Sequence, residues 1–283
     1  MIAIIGGLVA AAMWAASTLC TSRSSRMIPP ISILAWVLLI GSVISAPFAL
    51  TEGVPEGFGG EHVVLLLLTA VGNTSGLLCA YSSLRFGKVG VVAPITSTQG
   101  AAAAVIAVAA GEQIGPGARL ALAVVVLGVV LSSVARSSEV VDGRREGLAV
   151  TFALLAAGFF GLGLFAMGRL AEDLPISWIV FPSRTLAVLL VTLPLALIGR
   201  LRMTRVALPY VVASGFLEVA GLVAYTIGAR HGIAIAAILG SQFAAFAAVA
   251  AYFLFRERLA RVQVAGVAVT AIGVAVLTGV QAV

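Results

Sequence analysis

Glu218 is the one acid inside an apolar stretch of this chain. It stands near the middle of residues 206–229, ~17 Å from either end at the rise of an α-helix. A carboxylate at that depth in lipid is costly, and such groups face cavities and mark ion or proton pathways. It suits reversible protonation or the anchoring of a cationic substrate. The alternatives are a static ion pair or a protonated bond between helices. Arg184 is the one basic residue inside an apolar stretch. It lies ~6 Å shallower than Glu218 by the same count, a gap its long side chain can bridge. The two are therefore expected to face each other. Arg184 then either holds a substrate carboxylate or forms a static salt bridge.

Four further polar or aromatic sets fall at matching depths. Asn73 stands at the position equivalent to Glu218 in an earlier, similar stretch, and Gln99 and Gln242 stand at equivalent places in the segments that follow. They read as a ring of hydrogen-bonding groups around a cavity, against the alternative of helix–helix bonds worth ~0.6 kcal/mol each. Trp14, in mid-segment, offers a ring face to a flat or cationic ligand. Tyr81 and Tyr225 occupy the third segments of two similar halves. Pro94 removes the bond its amide would make to the Gly90 carbonyl, so a kink is expected at Gly90 that can serve as a gate beside Gln99. Ala237 replaces that proline in the second half, whose fourth helix is expected to be straighter.

The elements that must position these residues are set by composition. The 283-residue chain is 61% hydrophobic and 10% charged, with a mean hydropathy of +1.16; a water-soluble domain is about 25% charged. The chain reads as an integral membrane protein whose main partner is the lipid bilayer. Ten segments approach the ~20 apolar residues of a spanning helix. They lie near 2–21, 31–51, 62–84, 89–110, 117–135, 147–168, 177–199, 206–229, 232–255 and 260–281. The first, Met1–Cys20, has no positive start and reads as a retained helix rather than a leader. The polar run 136–146 separates a first unit, 1–135, from a second, 147–283. Trp14 aligns with Phe160, Arg23 with Arg169, Pro29 with Pro175, and Pro47 with Pro194. Five helices per unit invert the second unit in the membrane. The fold class is thus all-α integral membrane, with ten transmembrane helices in two inverted five-helix repeats and alternating access about a midplane site.

The +6 formal charge sits in short loops and sets orientation; it is not a nucleic-acid signal. Arg23, Arg26, Arg85, Lys88 and the arginines of 136–145, 200–205 and 256–261 share one face. Arg119, Arg169 and Arg230 are on the other. The basic face is expected in the cytoplasm, with both termini outside the cytoplasmic membrane. Cys20 and Cys79 have no paired spacing, and His62 and His231 fall at segment edges, so no disulfide, metal site or cofactor is expected. Glu112 and Glu257, at segment ends, read as caps. Gly161-Leu162-Gly163 lies inside an apolar segment and reads as close helix packing rather than a phosphate loop. No catalytic set and no ATP-binding unit is visible, which points away from an enzyme and toward a proton or other coupling ion.

The run Gly87-Lys-Val-Gly-Val-Val-Ala-Pro94-Ile, followed by Gly111-Glu112 and Gly128, resembles the EamA-type unit of the drug/metabolite transporter superfamily. So does the set Gly232, Ser241-Gln242, Glu257-Arg-Leu, Gln263, Gly266 and Gly273. The resemblance covers essentially the whole chain. It implies a ten-helix secondary transporter with a central cavity open to one side at a time. The reading that follows is a proton-coupled carrier of small polar metabolites such as amino acids or their analogues, working as an exporter. A lipid-translocating component is the alternative, and a divalent-cation carrier a weaker one, since one acid beside an arginine is a poor magnesium site. Pairing of two chains is left open.

Overall fold

The computed structural model of the chain describes residues 1–87, 92, 95–133, 143–243, 245, 246, 265, 266, 268, 269, 272, 273 and 276. Among them run α1 (Ile2–Ser24), α2 (Pro30–Glu52), α3 (Gly60–Phe86), α4 (Gln99–Ala109) and α5 (Pro116–Ser133) of the first half. The second half has α6 (Gly143–Asp173), α7 (Ile176–Leu197), α8 (Leu208–Ala229) and α9 (Ile233–Gly240). Six of these, α1, α2, α3, α6, α7 and α8, are long and apolar enough to cross a membrane. Leucines, valines and phenylalanines such as Leu50, Leu120, Leu190 and Phe216 stand exposed on the outside. That is the expected surface of a protein whose solvent is hydrocarbon.

The packing repeats itself. The first helix of each half lies along the third and fourth helices of the other: α1 on α8 and α9, α6 on α3 and α4. The second helices, α2 and α7, pack on each other, as do the fourth, α4 and α9. Close approach needs small residues. A Cβ on Gly6 of α1 would lie 2.6 Å from the Ala224 carbonyl oxygen of α8, and one on Gly72 of α3 would lie 2.7 Å from the Phe159 carbonyl oxygen of α6. Without a hydrophobic drive between helices in lipid, such backbone proximity is the main source of association.

Both fourth helices are interrupted. Thr98 donates its amide to the Ile95 carbonyl, three residues back, just before α4 begins. Gln242 does the same to Leu239 just after α9 ends. The kink with which the expected straighter helix of the second half is compared lies outside the described residues, but that helix does have a turn at 239–242 without a proline. The cause is local: the Ser241 hydroxyl takes the Ile238 carbonyl at 2.7 Å, in competition with the ladder. Gly100 of α4 also presses against Ala237 and Ser241. Gly90 and Pro94, where the gating kink was expected, lie outside the described residues, as does Glu257.

Two local features fix α7. Its start is held under the loop before α3, where Phe58 stacks on His62 and meets Trp178 edge-on, both at 5.7 Å between centroids. Ser177 there donates to Glu52. Further along, α7 widens into one π turn over Val188–Thr192, with the Thr192 hydroxyl bonded to the Ala35 carbonyl of α2 at 2.9 Å.

Candidate substrate cavity and its buried ion pair

Third helices carry the site. Serine, glycine and alanine along one side of α8 let α1 come close, which buries Glu218 between them with 8% of its surface exposed. Its carboxylate accepts from the Ser17 hydroxyl at 3.2 Å. That hydroxyl shares a hydrogen bond with Ser214 at 2.8 Å, and Ser214 shares another with Thr21 at 2.9 Å. Ser214 lies one turn before Glu218, and Thr21 one turn after Ser17, so two i,i+4 pairs on facing helices build a four-member polar cluster. Arg184 of α7 reaches the other carboxylate oxygen, with nitrogen and oxygen 3.7 Å apart. The sequence-based expectation that Arg184 and Glu218 face each other is what the geometry shows.

The pair separates two cavities. One, about 620 Å³ with its open mouth included, runs from Glu218, Trp14 and Leu164 past Asn73 and Gln99 to Leu84, near the end of α3 at the basic face. Phe160 and Phe243 add aromatic wall. The second, about 360 Å³, holds Arg184, Ser183 and Thr69 on the far side, and shares Asn73, Phe160 and Leu164 with the first. Arg184 is 2% exposed, and both its terminal nitrogens lack a hydrogen-bond partner; so does the Asn73 side-chain oxygen. A guanidinium and an amide oxygen in that condition carry a large desolvation cost, which a ligand bearing both an acceptor and a donor relieves.

Trp14, Asn73, Gln99 and Glu218 thus line one cavity, and Arg184 lines its neighbour. The other three residues picked from sequence as substrate contacts sit elsewhere. Gln242 is buried against its own helix, its amide nitrogen bonded to the Ile238 carbonyl at 3.2 Å. Tyr225 stands behind Trp14, ring centroids 6.1 Å apart, and its hydroxyl donates to the Leu164 carbonyl at 2.7 Å. Tyr81 is buried with its hydroxyl beside Thr21 and Ser214 but without a hydrogen bond. Sequence reasoning missed Ser17, Ser214 and Thr21. Their signal was present as the i,i+4 spacing of hydroxyls on either side of the acid.

A polar cleft of about 770 Å³ lies at the opposite face, lined by Glu112, Gln113, Arg169, Glu172, Arg230 and His231. Glu112 accepts the Ala234 amide with both oxygens at 3.2 Å, capping the N-terminus of α9 across the interface between the halves. Burial pushes its carboxyl up, and amide bonds from Ala234 and Ile233 partly offset this.

An apolar helical exterior wrapped around an interior cavity with a buried ion pair is the build of a multi-pass membrane transporter. Residues 1–134 and 147–279 each match the EamA-like transporter family, and the chain belongs to that family. A solved structure described only as "Crystal structure of protein" is similar over 98% of this chain and 96% of its own length, with a TM-score of 0.72 and 17% identity. At that identity the likeness shows the fold alone. No curated protein matches the chain.

Proposed function

We propose that this protein is a proton-coupled secondary transporter of small polar metabolites, amino acids or their analogues, and that it works as an exporter in the cytoplasmic membrane. The observation that carries the reading is Glu218, a buried acid that touches both the larger cavity and a buried cation. Acids so placed take up and release protons in pumps and carriers. With the basic face in the cytoplasm, the larger cavity opens inward and both termini lie outside. A substrate enters beside Trp14 and Gln99, and its ammonium group competes with the proton for Glu218. Its carboxylate is drawn to Arg184 across Asn73. Release of the pair by either event frees the helices to move, and the cavity then opens to the other side.

The test is a comparison of metabolites released by cells making the wild type, Glu218→Gln or neither. A compound released by the wild type alone names the substrate. Reconstituted transport of that compound should then follow an imposed pH gradient in the wild type and lose that dependence in Glu218→Gln. Full pH-driven flux in the variant sinks the coupling role and leaves passive facilitation.

A further inference from the structure

The two halves treat their third-helix ends differently. Arg230, just past α8, donates Nε to the Ala171 carbonyl and a terminal nitrogen to the Leu174 carbonyl, both at 2.8 Å. The reason Ala171 is available is chemical. The residue four positions on is Pro175, which has no N–H to give. Arg230 satisfies the stranded carbonyl with a planar fork that spans two oxygens at once. In doing so it ties the end of α8 to the last turn of α6 beside the polar cleft.

The same stranded carbonyl exists on the basic face. The 146-residue offset that pairs Trp14 with Phe160 and Pro29 with Pro175 makes Ser25 the counterpart of Ala171, and Ile28 that of Leu174. The residue four positions after Ser25 is Pro29, so its carbonyl also lacks an amide. The surrounding bonds repeat as well. Ile28 N–H bonds to Ser24 O as Leu174 N–H does to Leu170 O, and Ser32 N–H to Pro29 O as Trp178 N–H does to Pro175 O. The counterpart of Arg230, at the 145-residue offset that pairs Asn73 with Glu218 and Gly76 with Gly221, is Arg85. Yet Arg85 is exposed and has no hydrogen-bond or ion-pair partner among the described residues. It follows directly on Leu84, which lines the larger cavity.

We infer that Arg85 and Arg230 are reciprocal latches. On this reading the Arg230 bonds to the α6 end belong to the state closed at the opposite face, and the unengaged Arg85 to a basic face that is not latched. When the cavity turns over, Arg230 releases Ala171 and Leu174, and Arg85 takes the Ser25 and Ile28 carbonyls at the end of α1. The inference rests on the alternating-access reading above and assigns its two end states to named bonds.

Distance measurement between spin labels tests it without a substrate. In a Cys20→Ser, Cys79→Ser background in lipid nanodiscs, one label pair at Arg26→Cys and Ser82→Cys spans the basic-face mouth. A second pair, at Glu172→Cys and Ile227→Cys, spans the opposite mouth. Loss of a two-bond charged fork in Arg230→Ala should raise the basic-closed to basic-open ratio by about tenfold. Adding Arg85→Ala to that protein should return most of the shift, and Arg85→Ala alone should abolish any basic-closed population in the wild type. Arg85→Ala alters an exposed side chain, so its fold is not in question. A basic-closed population that ignores Arg85 overturns the latch while leaving alternation standing. A single distance in every variant overturns alternation itself, and the latch with it.

Discussion

The crossing of α1 with α8 and the crossing of α6 with α3 are the same structure made twice, and among the described residues only the first buries a charge. Trp14 lies against Gly221 as Phe160 lies against Gly76, each ring filling the space where a Cβ would stand. One turn further along, Ser17 bonds Glu218 in the first crossing. In the second, Gly163 stands at the place of Ser17 and Asn73 at that of Glu218, and a Cβ on Gly163 would lie 3.1 Å from the Asn73 amide nitrogen. The first crossing holds a cluster of four polar groups; at the same level the second has Asn73 alone, with its backbone packed on Gly163. A duplicated scaffold thus assigns its chemistry to one copy and its rigidity to the other. An acid needs a donor and a cation beside it, and close packing leaves room for neither.

The comparison can be broken most severely from the charged side. Arg184→Ala leaves Glu218 buried without its cation, and should cost about 3–5 kcal/mol in unfolding titrations in detergent. Glu218→Gln on top of it should recover part of the loss, because the orphaned charge goes too. On the packed side, Gly72→Val pushes a branched side chain into the Phe159 carbonyl and Gly163. It should cost about 1–3 kcal/mol by the same measurement. The same valine at Leu217, which stands at the equivalent place in α8, should be nearly neutral.

Smaller changes sharpen the contrast. Tyr225→Phe removes the bond to the Leu164 carbonyl and should cost about 1 kcal/mol. Its equivalent by the Gly76–Gly221 register is Ala80, which lines the open cavity, so no such bond is available on that side. The smallest effect concerns Glu112. Its carboxyl is raised by burial, so the folded protein binds that proton more tightly than the unfolded chain. The resulting stabilisation is complete below the unfolded value of about 4.3 and is lost as pH rises through the folded value. The melting temperature of the wild type relative to Glu112→Gln should therefore fall as pH is raised from about 4 to about 8.

Much of this was legible before any coordinates. Apolar length located the spanning helices, with ends that differ where polar residues extend a helix beyond the lipid: α6 runs Gly143–Asp173 against an expected 147–168. Depth along a helix is a one-dimensional quantity, and it placed Glu218 and Arg184 together. Rotation about a helix is not. The sequence says how deep Arg184, Tyr225 and Gln242 lie but not which cavity or neighbour they turn to. That is why Arg184 lines the second cavity, and why Tyr225 and Gln242 spend their hydrogen bonds on backbone. The hydroxyl cluster escaped notice because serine in a membrane helix usually bonds to its own backbone. Only the facing helix shows that Ser17 and Ser214 do otherwise.

The π turn in α7 also bears on the register of the two halves. Before it, Pro29 and Pro175 are 146 residues apart; beyond it, Pro47 and Pro194 are 147 apart. A π turn accommodates one residue more than an α turn, and Val188–Thr192 is where α7 absorbs it. The one-residue difference between the two offsets thus falls at the bulge. Arg184 lies before it and Pro194 after it, so the helix rather than the rest of the protein takes up the difference. Deleting one residue from 188–192 would give Pro175 and Pro194 the same spacing as Pro29 and Pro47.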